Sequence, residues 1–331
     1  MIRAWQIDSL TAPATLRQIP TPVPGPGQAR IRIAACGLNF ADLLMAEGRY
    51  QQRPALPFIP GMECAGVIEA LGPATPDADP PPGPPLTPGS RVALCPGHGG
   101  LAEAGVFDIA SLLPLPDTMD DITAAGFQIA YGTSHLALTH KARLQPGETL
   151  LVLGAAGGVG LTAVEVGKAL GARVIACARG ADRLAIARAA GADAVIDSDT
   201  PDLKAALKDM GGVDVVYDPV GGAAFDAALR AMRPDGRLLA IGFASGQVPQ
   251  VPANLLLVKN IAVLGFWWGG YAGHPVARQS LATLIDWHAQ GRLRPHVSHV
   301  LPMEDLHRGL DLLRNRAATG KVIVKTTADP A

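Results

Sequence analysis

The segment whose reading decides the fold is Gly154-Ala155-Ala156-Gly157-Gly158-Val159-Gly160. An apolar run, 150–153, precedes it. After it Val159, Ala163, Val166 and Leu170 recur at i, i+4, i+7 and i+11, one face of a helix, and Gly171 stands where a C-terminal cap is expected. Strand, glycine-rich turn and helix in that order let backbone N–H groups approach a pyrophosphate at the positive end of the helix. The spacing departs from G-x-G-x-x-G, because Ala155 takes the first glycine position and only Gly157 and Gly160 fall in register. The same turn could serve strand–helix packing alone, but its place among further strand signals favours the nucleotide.

Those signals continue downstream. Runs at 173–177, 194–197, 213–217, 237–241 and 261–265 alternate with alanine-rich helical segments, which predicts a six-stranded, doubly wound parallel sheet. Residues 280–290 and 303–314 then read as helices and 321–325 as a closing strand that returns to the first domain. Upstream, the first 120 residues are rich in proline, glycine and short β-like runs such as 29–34 and 91–94. The expected class is therefore α/β, with a β-rich domain over 1–122, a dinucleotide-binding domain over 123–264, and a return to the β-rich domain over 265–331. The proline-dominated stretch 72–89 reads as a surface loop, since proline cannot donate ladder hydrogen bonds.

Cofactor choice is read after the second strand, where an acid about 20 positions past the turn would bind the ribose diol of NAD. Here the segment is Cys177-Ala178-Arg179-Gly180-Ala181-Asp182-Arg183. Arg179 and Arg183 suit an adenosine 2′-phosphate, which predicts NADPH, although either could be a solvated charge at a helix start.

A chain of 331 residues accommodates two cores. A net charge of -1 offers no basic face for a nucleic acid or an anionic membrane, which leaves a small molecule as the expected partner. The four cysteines, Cys36, Cys64, Cys95 and Cys177, form no C-x-x-C pair, so neither a disulfide framework nor a cysteine-rich zinc lobe is expected. Residues 1–10 read as a strand and not as a signal peptide, and no run of about 18 apolar residues occurs. A cytoplasmic protein is expected.

With these residues in place, the chain resembles the zinc-independent quinone oxidoreductases of the medium-chain dehydrogenase/reductase superfamily, the group containing zeta-crystallin. The marks are Cys36-Gly37-Leu38-Asn39-Phe40-Ala41-Asp42, Pro60-Gly61-Met62-Glu63, the turn 155–160, Asp218-Pro219-Val220-Gly221-Gly222, Ile241-Gly242-Phe243-Ala244-Ser245-Gly246, Asn254-Leu255-Leu256-Leu257 and Ala318-Thr319-Gly320-Lys321. The resemblance implies a GroES-like β domain made from both chain ends, a central Rossmann domain, and a cofactor in the cleft between them. It also implies cofactor contacts from Thr133, Ala155, Gly157, Gly158, Val159, Arg179, Arg183, Gly242, Phe243, Phe266, Trp268 and Lys321. Asn39, Asp42 and Tyr50 are implied at the acceptor, with Asn39 and Tyr50 as hydrogen-bond donors and Asp42 as an orienting carboxylate; the alternative is that Asn39 caps a turn and Tyr50 packs at a loop.

Zinc-containing relatives have a cysteine where this chain has Asn39 and a histidine where it has Met62, and an amide and a thioether are poor zinc ligands. His296 and His299 have no third ligand nearby in sequence, so no metal is expected. Leu44 and Ser198 depart from the family pattern, each standing in place of a tyrosine, and Arg183 matches the family's cofactor-selecting lysine. Without a Lewis acid, reduction of an electron-poor acceptor is easier than alcohol oxidation. The expected function is NADPH-dependent quinone reduction. Reduction of α,β-unsaturated carbonyls or enoyl thioesters is the enzymatic alternative, and a crystallin-like NADPH-binding protein with little turnover is the alternative of another class. The resemblance further implies a homodimer, through the edge strand 261–265 and Phe266-Trp267-Trp268, with burial in the cofactor cleft as the alternative for one or two of these rings.

Overall fold

The structure, a computed structural model, describes residues 1–73 and 85–326; most of the proline-rich stretch expected as a surface loop lies outside them. Two compact units emerge, Met1–Ile129 with Val297–Ala331, and Ala130–His296.

The second unit is built on six parallel strands, Thr149–Leu153, Arg173–Ala178, Ala194–Asp197, Val213–Asp218, Met232–Ala240 and Ala262–Gly265. Numbered in chain order they lie 3-2-1-4-5-6, the doubly wound arrangement whose switch point falls between the first and fourth strands. A parallel sheet covered on both faces needs continuous apolar runs. The first strand supplies one, with Leu150, Leu151 and Val152 at 0 % exposure, and each such side chain contributes about 1.5–3 kcal/mol by leaving water. The helix Gly158–Ala169 follows the first strand as its spacing predicts, and Gly171, at φ 82°, carries the chain out of it in a conformation that costs a glycine little.

The first unit holds a seven-stranded sheet assembled from both chain ends. Its central strand, Gln28–Leu38, pairs with Glu63–Leu71, with Ala104–Asp108 and with the closing strand Lys321–Lys325, all antiparallel. Along it Ile31 and Ile33 are buried while Arg32 between them is exposed, the period-2 pattern of a strand with one face on a core.

Several boundaries differ from the sequence reading. The helix expected at 280–290 starts earlier, at Pro275, where proline's fixed φ suits the first helical turn, and His274 caps it by accepting the Val276 N–H. The segment 303–314 divides into a short 3-10 turn, Met303–Asp305, and the helix Leu306–Arg314. Residues 265–296, expected to return to the first domain, lie in the second unit, where Ser280 Oγ meets His135 Nδ1 at 2.8 Å. The aromatic run is not uniformly exposed. Phe266 stacks on Tyr271 at 5.3 Å and is 6 % exposed, Trp268 packs over Gly132 and is 8 % exposed, and only Trp267, at 40 %, faces outward.

Candidate active site

Strand register brings the first group of site residues together. Gly37 pairs with Glu63 and Leu38 with Val322, so the end of the central strand is flanked by Glu63 on one side and by Lys321 on the other. The chain then leaves the strand at Asn39, the N-cap of the helix Phe40–Ala46. Gly37 has to be glycine, because a Cβ there would fall 2.3 Å from the Ala125 carbonyl oxygen.

The result is a closed, buried polar cluster. Lys321 Nζ donates to the Leu38 carbonyl at 2.9 Å, to Asn39 Oδ1 at 2.8 Å and to Glu63 Oε1 at 2.8 Å, which uses all three of its N–H groups. Asn39 Nδ2 donates to Glu63 Oε1 at 3.0 Å and to the Gly37 carbonyl at 3.2 Å. The Ile129 N–H donates to Glu63 Oε2 at 3.0 Å. Glu63 is 1 % exposed and Lys321 7 %. Each charged group of the cluster is paired and hydrogen-bonded, which is what burial of charge requires.

Asp42, three residues into the helix segment, reaches back: its carboxylate accepts the Asn39 N–H at 2.8 Å and the Met62 N–H at 3.1 Å. It thereby holds the helix start against the 60–63 segment. Burial pushes its carboxyl from 3.8 up to about 7, against the opposing pull of the Asn39 N–H and the Lys321 charge. Tyr50 and Leu44 are half-buried, and Tyr50 packs against the core of this unit. Asn39 and Asp42 are thus brought together, while Lys321, expected at the cofactor, has its ammonium committed to Asn39 and Glu63. Glu63 carried no expected role. Its signal was its place one residue after Met62, in the motif where metal-dependent relatives supply a ligand.

The second group lies at the C-terminal ends of the parallel strands in the other unit. The turn is tight: the Gly157 N–H donates to the Gly154 carbonyl at 2.9 Å, and the Ala155 N–H to the Cys177 carbonyl at 3.0 Å. Its glycines have different reasons. A Cβ at Gly160 would fall 2.2 Å from Gly154 O, so packing demands glycine there. A Cβ at Gly157 would meet only that oxygen, at 3.4 Å, and φ is an ordinary -81°. Bare backbone at Gly157 is therefore not a packing need, and it leaves room for a ligand to approach the N-terminus of a helix that no side chain caps.

Neighbouring loops converge on this edge. A Cβ at Gly154 would touch Val220, and one at Gly221 would touch the Phe243 ring. Asp218 Oδ1 accepts the Val220 and Gly221 N–H groups at 2.7 and 2.9 Å, and the Gly242 N–H donates to the Asp218 carbonyl at 3.3 Å. Thr133 is buried beside Gly132, over which the Trp268 ring lies, and Trp268 Nε1 is buried without a hydrogen-bond partner. After the second strand Arg179 is exposed, but its Nε donates to Asp199 Oδ1 at 3.2 Å, an acid 20 residues further along the chain. Arg183 is half-buried on the helix Ala181–Ala189, which begins after Gly180 at φ 79°.

Residues 25–117 match the alcohol dehydrogenase GroES-like domain family, and residues 158–290 match the zinc-binding dehydrogenase family. Among curated proteins the chain is similar to quinone oxidoreductase-like protein 2 of Bos taurus, 37 % identical over 97 % of this chain and 92 % of that protein. It is also similar to the synaptic vesicle membrane protein VAT-1 homolog of Homo sapiens, 31 % identical over 92 % of this chain and 80 % of that one. Among solved structures it resembles the quinone oxidoreductase of Thermus thermophilus, determined also in complex with NADPH, with a TM-score of 0.84, 35 % identity and coverage of 98 % and 99 % of the two chains.

Proposed function

Because the chain belongs to the quinone oxidoreductase-like branch of the medium-chain dehydrogenase/reductase superfamily, an oxidoreductase family, we propose that it reduces quinones with NADPH and without a metal ion. The observation that carries the metal-free reading is the bond between Asn39 Oδ1 and the Lys321 ammonium, 2.8 Å long, where metal-dependent relatives place a thiolate on zinc. A buried ammonium beside that position repels a divalent cation, and the amide and the Met62 thioether offer it little.

For the cofactor, the bare backbone at Gly157, the uncapped start of the helix Gly158–Ala169 and the arginines at 179 and 183 form a set that fits a pyrophosphate and a 2′-phosphate. Ala155, Gly158 and Val159 belong to the same turn, and Thr133, Gly242, Phe243, Phe266 and Trp268 are proposed around the rest of the molecule. When bound, NADPH supplies the reducing equivalents. The chain's own contribution is at the acceptor oxygen, where negative charge grows. There the Asn39 N–H now shared with Gly37 O at 3.2 Å, a long bond, is the donor that an acceptor can recruit, with Tyr50 as a second. Asp42 orients the segment that carries Asn39.

The proposed assembly is a homodimer. The strand Ala262–Gly265 is an outer strand of its sheet, and near it in sequence Leu257, Val258 and Trp267 are 78, 69 and 40 % exposed. Cys36, Cys64 and Cys177 are free thiols, which suits a reducing, cytoplasmic setting, and no helix among the described residues is long and apolar enough to cross a membrane.

The experiment is cofactor oxidation with and without 1,2-naphthoquinone, set beside a panel of enones and enoyl thioesters and read as kcat/KM. Turnover highest on quinones with NADPH is the expected result. Higher kcat/KM on enones assigns the enzymatic alternative, and NADPH binding without turnover on any acceptor assigns the binding protein.

A further inference from the structure

Building on the proposed role of Asn39 as donor to the acceptor, we infer that Glu63 and Lys321 are positioning residues that fix which end of the Asn39 amide is presented. An asparagine amide has two ends of similar size and opposite hydrogen-bonding sense, and rotation about its last torsion exchanges donor for acceptor. For an oxygen that becomes negative, only the NH2 end is useful.

Two partners of opposite character remove that freedom. Lys321 Nζ, which can only donate, stands 2.8 Å from Oδ1, and the Glu63 carboxylate, which can only accept, stands 3.0 Å from Nδ2. The flipped amide would set its NH2 against an ammonium and its oxygen against a carboxylate. Burial of both charges makes those contacts costly. The remaining valences are closed by Leu38 O and by the Ile129 N–H, so neither charged group is left to move. Stability alone does not account for the arrangement, since a buried ion pair is often no more stable than apolar groups of the same volume. The lock also leaves one amide N–H on the weaker Gly37 contact, which is the one an acceptor oxygen can share.

The test compares wild type, Lys321→Met, the double variant Glu63→Gln/Lys321→Met, Asn39→Ala, and the triple variant combining all three substitutions. The readouts are NADPH-dependent reduction of 1,2-naphthoquinone, NADPH Kd and Tm. The double variant carries no unpaired buried charge, and its glutamine, whose single oxygen can keep the Ile129 N–H, turns its NH2 end toward Asn39 and releases the set orientation of that amide, so it keeps the test open where Lys321→Met fails to fold. The double variant is expected to lose about tenfold to a hundredfold in kcat, as Asn39→Ala does, with NADPH Kd within about twofold of wild type. In the Asn39→Ala background the same two substitutions should change kcat by less than about threefold, because no amide remains to orient. Equal losses in both backgrounds would overturn the inference and leave the pair a structural one.

The Asn39 side-chain NH2 signals in a 15N–1H spectrum read the lock without turnover. Two well-separated proton shifts are expected in wild type, and a changed pattern in the double variant. Signals that the double substitution leaves unchanged would overturn the lock. Absence of quinone reduction by a wild-type enzyme with normal NH2 signals would instead remove the functional reading.

Discussion

Arg179 donates from Nε to Asp199 Oδ1 at 3.2 Å, so the arginine expected to select the cofactor is already answered by an acid just past the neighbouring strand. Both side chains are nearly two-thirds exposed, at 65 and 63 %. An exposed pair of this kind is worth about 0–1 kcal/mol, against roughly 1.5–3 kcal/mol for a charge-assisted contact to a phosphate, so a 2′-phosphate should outcompete Asp199. NADPH should exceed NADH by at least about tenfold in kcat/KM. Arg179→Ala should remove most of that ratio, and Asp199→Asn should lower the NADPH Kd by a few-fold, on the order of a freed surface ion pair. An unchanged ratio in Arg179→Ala contradicts the assignment.

The two glycines of the turn should separate on substitution. Gly160→Ala drives a Cβ to 2.2 Å from backbone oxygen and should cost about 1–3 kcal/mol of stability, visible as a lower Tm. Gly157→Ala meets only an ordinary contact, so its stability should stay within about 1 kcal/mol of wild type while NADPH Kd rises at least about tenfold. An alanine at 157 that leaves Kd unchanged would remove this residue from the cofactor site.

Asp42 should make stability fall with rising pH. Its folded carboxyl titrates at about 7 and its free value is 3.8, because burial outweighs the Asn39 N–H and the Lys321 charge, with Glu63 acting in the same direction as burial. The folded chain therefore holds this proton more tightly. The contribution is full below about pH 4 and lost as pH rises through about 7. Glu47, His307 and Arg314 also line the cavity of about 270 Å³ that Asp42 borders, so the measurement is a difference. Between pH 5 and 7.5 the unfolding free energy of wild type relative to Asp42→Asn should decline by about 1–3 kcal/mol in urea titrations. A pH-independent difference would show that Asp42 stays ionised.

His135 should act with the opposite sign. Burial pushes its pKa from 6.5 down to about 4, and its Nδ1 meets Ser280 Oγ at 2.8 Å. A depressed histidine contributes stability that is full above about pH 6.5 and lost as pH falls through about 4. Its Cε1 proton shift should stay flat from pH 8 to pH 5, and a midpoint near 6.5 would contradict the burial argument.

Much of this was legible in the sequence. The apolar run before Gly154 and the 3.6-residue spacing after it placed a strand and a helix where they occur, because local periodicity reports directly which face is buried. The apolar run at 321–325 predicts a strand with the observed bounds, Lys321–Lys325. What escaped was long-range pairing. Nothing near Lys321 in sequence announces that Val322 pairs with Leu38, yet that register is what sets the ammonium against Asn39. Glu63 was visible only as part of a motif, since its partners are 24 residues upstream and 258 residues downstream. The burial of Phe266 and Trp268 rests on Tyr271 and Gly132, neighbours that cannot be assigned from spacing.

The central claim, an NADPH-dependent quinone reductase in which a locked amide stands in place of a metal ligand, is tested most directly by quinone turnover on metal-stripped protein. After dialysis against a strong chelator, with metal content measured, kcat/KM for 1,2-naphthoquinone with NADPH should stay within about twofold of the untreated enzyme, and added zinc should not raise it, because the Lys321 ammonium stands 2.8 Å from Asn39 Oδ1 and would repel a cation bound there. Activity that disappears on chelation and returns in proportion to added zinc would contradict the account.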